Sequence, residues 1–154
     1  MSDVVRIWLE ISHNAAFRCG GWAFVIADGD GRLGAVGGER TASPERIALA
    51  GLADVLKTAP ATASLQIHSA AKLVVGVPRR LDGSGEPPAE DLELWAPIAT
   101  ALKTRAVRFV PAENRPRSPT AFAVAWSELA RDKAKAGGAF RAIIPKPNLA
   151  KAGV

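Results

Sequence analysis

The sequence has little of what secreted, disulfide-bonded or membrane-spanning proteins need. It contains a single cysteine, Cys19, which excludes an internal disulfide. No charged start followed by an apolar segment precedes the first predicted strand, so we expect no secretion. No apolar run approaches the roughly 18 residues that span a bilayer. We therefore expect a soluble, cytoplasmic protein without a membrane partner.

The length and composition favour a single domain. A chain of 154 residues with 48% hydrophobic content can bury one core of two or three layers. We place this domain at residues 1–138. Residues 139–154 contain two prolines and no clear hydrophobic period, and we interpret them as a basic C-terminal tail.

Positive charge is concentrated near the C-terminus. Residues 1–100 contain 9 Lys and Arg against 12 Asp and Glu, whereas residues 101–154 contain 11 against 3. A basic C-terminal third favours a polyanionic partner such as nucleic acid, because neutralised phosphates release their counterions. A lysine-rich segment that only improves solubility is the simpler alternative.

Hydrophobic periodicity predicts an antiparallel meander followed by alternating helices and strands. Residues 4–11 alternate like a strand, residues 21–27 form a more buried strand, and a turn at residues 28–31 leads to a weaker third strand at residues 33–40. Ser43-Pro44 and Ser118-Pro119 each combine a hydroxyl cap with a proline at the first helical position, which is typical of a helix start. The later predicted elements are a helix ending before Pro60, a strand at 64–68, a short helix at 70–77 ended by Pro78, a loop at 79–89, a helix at 90–103 with regular turns from Leu94, a strand at 106–111 and a helix from 119 to 137.

Four local sequences, in this order, resemble the ribonuclease H family. They are Gly20–Ile26 in the second strand, Glu45–Leu49 in the first helix, Leu92–Trp95 in a later helix and Ser127–Ala130 in the last helix. The similarity extends over about residues 4 to 136. It implies an α/β chain with the ribonuclease H-like fold, a five-stranded mixed sheet in which an antiparallel meander is followed by parallel strands, with helices on both faces.

The resemblance also implies a metal site, and here the sequence departs from the family pattern. Enzymes of this family hydrolyse the RNA strand of RNA/DNA hybrids with two magnesium ions, which are hard cations held by carboxylates. The corresponding positions are Glu10, Glu45, His68 and Ser127. Glu10 is one methylene longer than the family's Asp, His68 offers nitrogen and Ser127 a neutral oxygen. Any metal binding should therefore involve Glu10 and Glu45 and be weak.

Each of these positions also has a structural interpretation. Glu10 can be a polar residue on the protein surface at a strand end, and Glu45 is favoured by the dipole of the helix it begins. A lone histidine such as His68 is more often hydrogen-bonded than a metal ligand. Glu128 or Asp132 could replace the acid that is absent at Ser127, and Asp132 is favoured because it lies about one turn further along the helix.

A second group of residues could contact nucleic acid. His13 and Asn14 follow the first strand, where they could bind a 2'-hydroxyl, although a plain turn is the simpler interpretation. Glu113 could hold a metal, but the arginines that follow it favour phosphate contact. The candidate phosphate-binding cations are Lys103, Arg105, Arg108, Arg115 and Arg117.

Three functions remain open from the sequence. The first is a ribonuclease H-like domain with little or no hydrolytic activity that binds an RNA/DNA hybrid or another nucleic acid through its basic C-terminal third, with no cofactor. The second is an active nuclease that uses Glu10 and Glu45 with Asp132 or Glu113 and Mg²⁺ or Mn²⁺. The third is a protein-interaction module in which the basic charge is incidental.

Overall fold

The computed structural model describes residues 4–154, which form a six-stranded mixed sheet with helices on both faces. Its elements are β1 Val4–Asn14, β2 Cys19–Asp28, β3 Gly31–Glu39, α1 Pro44–Thr58, β4 Ser64–Ser69, α2 Lys72–Val75, α3 Val77–Leu81, α4 Leu92–Thr104, β5 Val107–Pro111, α5 Pro119–Gly137, β6 Phe140–Ile143 and α6 Lys146–Leu149. No helix within residues 4–154 combines the length and apolar character needed to cross a bilayer.

The sheet has the strand order β5-β4-β1-β2-β3-β6. β1, β2 and β3 form the predicted antiparallel meander, and β4 and β5 continue the sheet in parallel from β1. The mixed α/β architecture is confirmed. The predicted number of five strands is corrected to six, because β6 pairs antiparallel with β3.

Residues 139–154, which the sequence analysis sets apart as a tail, pack onto the sheet. After β6, the side chains of Ile144, Leu149 and Ala152 are buried against Ala23 and Val25 of β2. A four-residue strand and a four-residue helix are too short to produce a hydrophobic period, and the two prolines suggested irregular chain. The interpretation of this segment as a tail is therefore corrected.

Two adjacent glycines let helices approach β2 from both sides. A Cβ on Gly20 would lie 2.5 Å from the Ile47 side chain of α1, and one on Gly21 would lie 2.3 Å from the backbone nitrogen of Arg131 in α5. α1 packs on β1 and β2 and also contacts α4. α5 lies over β1, β2 and β3 on the opposite face. Ser43 and Ser118 cap these two helices as predicted.

Two proline positions differ from the expectation. Pro78 does not end a helix but occupies the first turn of α3, where its missing N–H removes no intrahelical hydrogen bond. α4 begins at Leu92 rather than near Leu94, although Pro97 lies inside it. The amide groups of residues 94 and 95 donate to the carbonyl of Asp91, which closes the first turn.

Candidate functional site

Glu10 is the only carboxylate among the four family positions that is buried in the structure. It shares one face of β1 with Arg6 and Trp8, because side chains alternate along a strand, and α5 packs over this face of β1. The Glu10 side chain accepts hydrogen bonds from the Ala70 backbone N–H at 2.8 Å and from Ser69 Oγ at 3.3 Å. Only 2% of Glu10 is exposed.

Burial changes the ionisation of Glu10. It raises the pKa of this carboxyl group to about 7, while the hydrogen bonds from Ala70 and Ser69 oppose the shift. At neutral pH the protonated and ionised forms are therefore both present. A carboxyl group that holds a divalent cation is ionised, so this environment disfavours metal binding rather than promoting it.

Glu45 is engaged elsewhere. Its carboxylate forms an ion pair with Arg80 of α3, whose guanidinium also lies 5.4 Å from the centre of the Trp95 ring. The pair connects the start of α1 with α3 and α4. It is partly exposed, so its electrostatic contribution is reduced by solvent.

His68 belongs to a different contact set from Glu10. Its ring stacks on Trp8 with 5.2 Å between ring centres, and its Nε2 bonds Gln66 Oε1 at 2.9 Å. Burial lowers the pKa of His68, and the positive charges of Arg6 and Arg108 lower it further. His68 is therefore neutral at neutral pH and half-buried.

Ser127, the last family position, and Asp132, its suggested substitute, also have hydrogen-bond or ion-pair partners of their own. Ser127 is fully buried, and its Oγ donates to the Val124 carbonyl at 2.7 Å. The Asp132 carboxylate pairs with Arg131 at 3.0 Å, and this guanidinium also donates to Ser12 Oγ at 2.8 Å. Glu128, the weaker substitute, is exposed.

These residues do not fit a pair of divalent cations. Two magnesium ions require several oxygen ligands converging from different elements. Glu10, Glu45 and His68 instead have separate partners, and residues 4–154 contain no group of three or more His, Cys, Asp or Glu side chains able to hold a metal ion.

The candidate cations of the C-terminal third differ in how they are engaged. Arg105 donates to the backbone carbonyls of Leu56, Pro60 and Ala63, which ties α4 to the loop before β4. Arg115 pairs with Glu113 at 2.7 Å, and both side chains are exposed. Arg108 is exposed on β5, Lys103 is in the last turn of α4, and Arg117 is in the loop before α5.

The two residues after the first strand stabilise local structure. His13 Nε2 is 2.7 Å from the Ala42 carbonyl oxygen, which connects β1 to the start of α1. Asn14 Oδ1 accepts from the Phe17 backbone N–H at 3.3 Å within the turn between β1 and β2. Contact of either residue with RNA stays a prediction.

Sequence reasoning missed three residues of this region. Ser69 at the end of β4 and Ala70 directly after it, rather than His68, bond to the Glu10 carboxylate. Arg6 was assigned only to a strand, yet its guanidinium is exposed and lies 5.3 Å from the Trp8 ring centre. The alternation in β1 places Arg6 beside Trp8, but its neighbours across the sheet follow only from the strand register.

Two solved structures resemble the chain over most of its length. LC9-RNase H1, a type 1 RNase H with the type 2 active-site motif, superposes with a TM-score of 0.66 at 14% identity, covering 100% of this chain and 82% of that one. The chain has the ribonuclease H fold. The N-terminal RNase H domain of Rv2228c from Mycobacterium tuberculosis, solved as a fusion with maltose binding protein, gives a TM-score of 0.58 at 20% identity, covering 88% of this chain and 97% of that one.

This likeness is one of fold. Neither a protein-family model nor a curated protein matches the sequence. The ribonuclease H fold predicted from the four local sequences is thus confirmed, while the roles of Glu10, Glu45, His68 and Ser127 stay predictions.

Proposed function

We propose that this ribonuclease H-fold domain binds nucleic acid, including RNA/DNA hybrids, with little or no hydrolytic activity and without a resident metal. The observation that carries the proposal is the environment of Glu10. This carboxyl group is 2% exposed and bonded to Ser69 and Ala70, with no second acid among its hydrogen-bond partners. We place the protein in the cytoplasm.

The charge distribution supports binding. The excess of cations lies in residues 101–154, and Lys103, Arg108 and Arg117 have no ion pair within residues 4–154. Exposed cations of this kind bind phosphates with an affinity that falls steeply with salt. Arg105 and Arg115 contribute less, because each already has acceptors within the protein.

Incubating the full chain with a labelled RNA/DNA hybrid in Mg²⁺, and separately in Mn²⁺, tests the proposal. We expect a mobility shift of the intact hybrid at low salt and no multiple-turnover cleavage. Cleavage that is lost in both Glu10→Gln and Glu45→Gln would contradict the proposal and establish the active nuclease instead.

The binding half of the experiment addresses the protein-interaction alternative. Affinity for the hybrid should fall as salt rises from 50 to 200 mM, by about 10-fold or more if several phosphates are contacted. An absence of binding at low salt, or an affinity independent of salt, would favour a protein partner.

A further inference from the structure

The ribonuclease H sheet has a partly open surface on its α5 side. α5 lies over β1, β2 and β3, whereas side chains of β4 and β5 on this side are half-buried or exposed. The strand register aligns Arg6 of β1 with Gln66 of β4, and Gln66 with Arg108 of β5. We call these three residues the cross-strand row.

The geometry of the cross-strand row brings two guanidinium groups to one surface. Neighbouring strands are about 4.8 Å apart, so the backbones of Arg6 and Arg108 are separated by about 10 Å. Both residues are exposed, and neither guanidinium forms an ion pair or a hydrogen bond with another residue of the described range. Long flexible side chains at this spacing can converge on one anion.

The neighbouring residues fit an anion as well. Gln66 Oε1 bonds His68 Nε2, which leaves the Gln66 amide NH₂ as a donor between the two arginines. The charges of Arg6 and Arg108 both reach His68, since both lower its pKa. No carboxylate bonds to any member of the row within residues 4–154.

We propose that Arg6 and Arg108, with the Gln66 amide between them, bind a backbone phosphate of nucleic acid on this open surface of the sheet. The proposal rests on the nucleic-acid-binding function above and assigns it a location. It adds Arg6, from the acidic N-terminal part of the chain, to a basic surface that the sequence places only in the C-terminal third.

The proposed phosphate site lies apart from the Glu10 carboxyl group. Arg6 and Glu10 lie on the same face of β1, four residues apart, which corresponds to about 13 Å along the strand. A phosphate held by the cross-strand row therefore does not reach Glu10. The proposed phosphate site therefore lies beside the Glu10 position rather than at it.

The test compares two double variants that each remove two positive charges. Arg6→Gln with Arg108→Gln should weaken binding of the RNA/DNA hybrid by about 10-fold or more and lower the salt slope by about 2. Arg40→Gln with Arg79→Gln, both at exposed positions, should change affinity by less than about 3-fold. Equal losses in the two double variants would overturn the proposal, because net charge alone would then explain binding.

The ring of His68, which is bonded to Gln66 of the row, provides a second readout that needs no variant. On titration with the hybrid, the ring resonances of His68 should shift. Binding without a His68 shift would overturn the location but leave the proposed function intact. Failure of the unmodified protein to bind at low salt would refute the proposed function itself.

Discussion

Two ends of the same strand face behave in opposite ways. At the Glu10 end, α5 covers β1, and a carboxyl group is buried with two hydrogen-bond donors and no cation. At the Arg6 end, Arg6 of β1 and Arg108 of β5 are both exposed, and Gln66 of β4 lies between them. One end is closed and suited to neither metal nor phosphate, whereas the other is open and positive.

The Glu10 end and the Arg6 end of this strand face therefore differ in burial as well as in residue type. A glutamate near α5 loses solvent and has its pKa raised, while polar residues four positions earlier remain solvated. Under the proposed function, the positive surface binds nucleic acid without help from the Glu10 carboxyl group. Three sets of substitutions test this contrast between the Glu10 end and the Arg6 end.

The largest effect should come from Gly21→Ala, which forces α5 away from the sheet. The new Cβ would lie 2.3 Å from the Arg131 backbone nitrogen and 2.5 Å from the Ser127 carbonyl oxygen, and a helix backbone cannot yield locally. We expect the free energy of unfolding to fall by about 3 kcal/mol or more. Urea denaturation measures the change. Gly85→Ala, where a Cβ meets open space, is the control and should be nearly neutral.

The next effect concerns the pH dependence of stability. The pKa of Glu10 is raised from 4.5 to about 7, so the folded state binds a proton more tightly than the unfolded chain does. This contribution is fully present below pH 4.5 and is lost as the pH rises through 7. Stability should therefore fall by about 3 kcal/mol between pH 4.5 and 8 on this account.

Denaturation of Glu10→Gln at several pH values isolates this contribution. The variant should lack most of the decrease, whereas the control Glu128→Gln, at an exposed position, should retain it. If Glu10→Gln retains the full pH dependence of the unmodified protein, Glu10 is ionised and solvated, and the contrast between the two ends is wrong.

The smallest effect distinguishes two arginines that sequence alone treats as equivalent. Arg105 donates to three backbone carbonyls, so Arg105→Gln should lower the free energy of unfolding by about 1 to 2 kcal/mol. Arg108→Gln removes no internal bond and should change stability by less than about 0.5 kcal/mol. Thermal unfolding of both variants checks the difference; a larger stability loss for Arg108→Gln would remove the distinction.

Much of the fold could be predicted because its signals are local. The Asp28–Gly31 turn and the two Ser-Pro helix starts each depend on a few adjacent residues, and all three occur in the structure. β6 could not be predicted, because a four-residue strand is defined by its pairing with β3 rather than by its own sequence.

The candidate site was less predictable for the same reason. The position of Glu10 on β1 followed from alternation, but its burial depends on the approach of α5 to Gly21. The pairing of Arg6 with Arg108 requires the register of three strands that are far apart in sequence. His68 was placed beside Glu10 by sequence, whereas Ser69 and Ala70 make the contact.

A Mn²⁺ titration of the protein bound to an RNA/DNA hybrid, followed by paramagnetic broadening of backbone amide resonances, tests whether the Glu10 end holds a metal. We predict an intact hybrid and no localised broadening of the amides at Glu10, Ser69 and Ala70 as Mn²⁺ is added to millimolar concentrations. Saturable broadening of those three amides at lower concentrations, accompanied by cleavage, would show that the Glu10 end assembles a metal centre and would contradict the account.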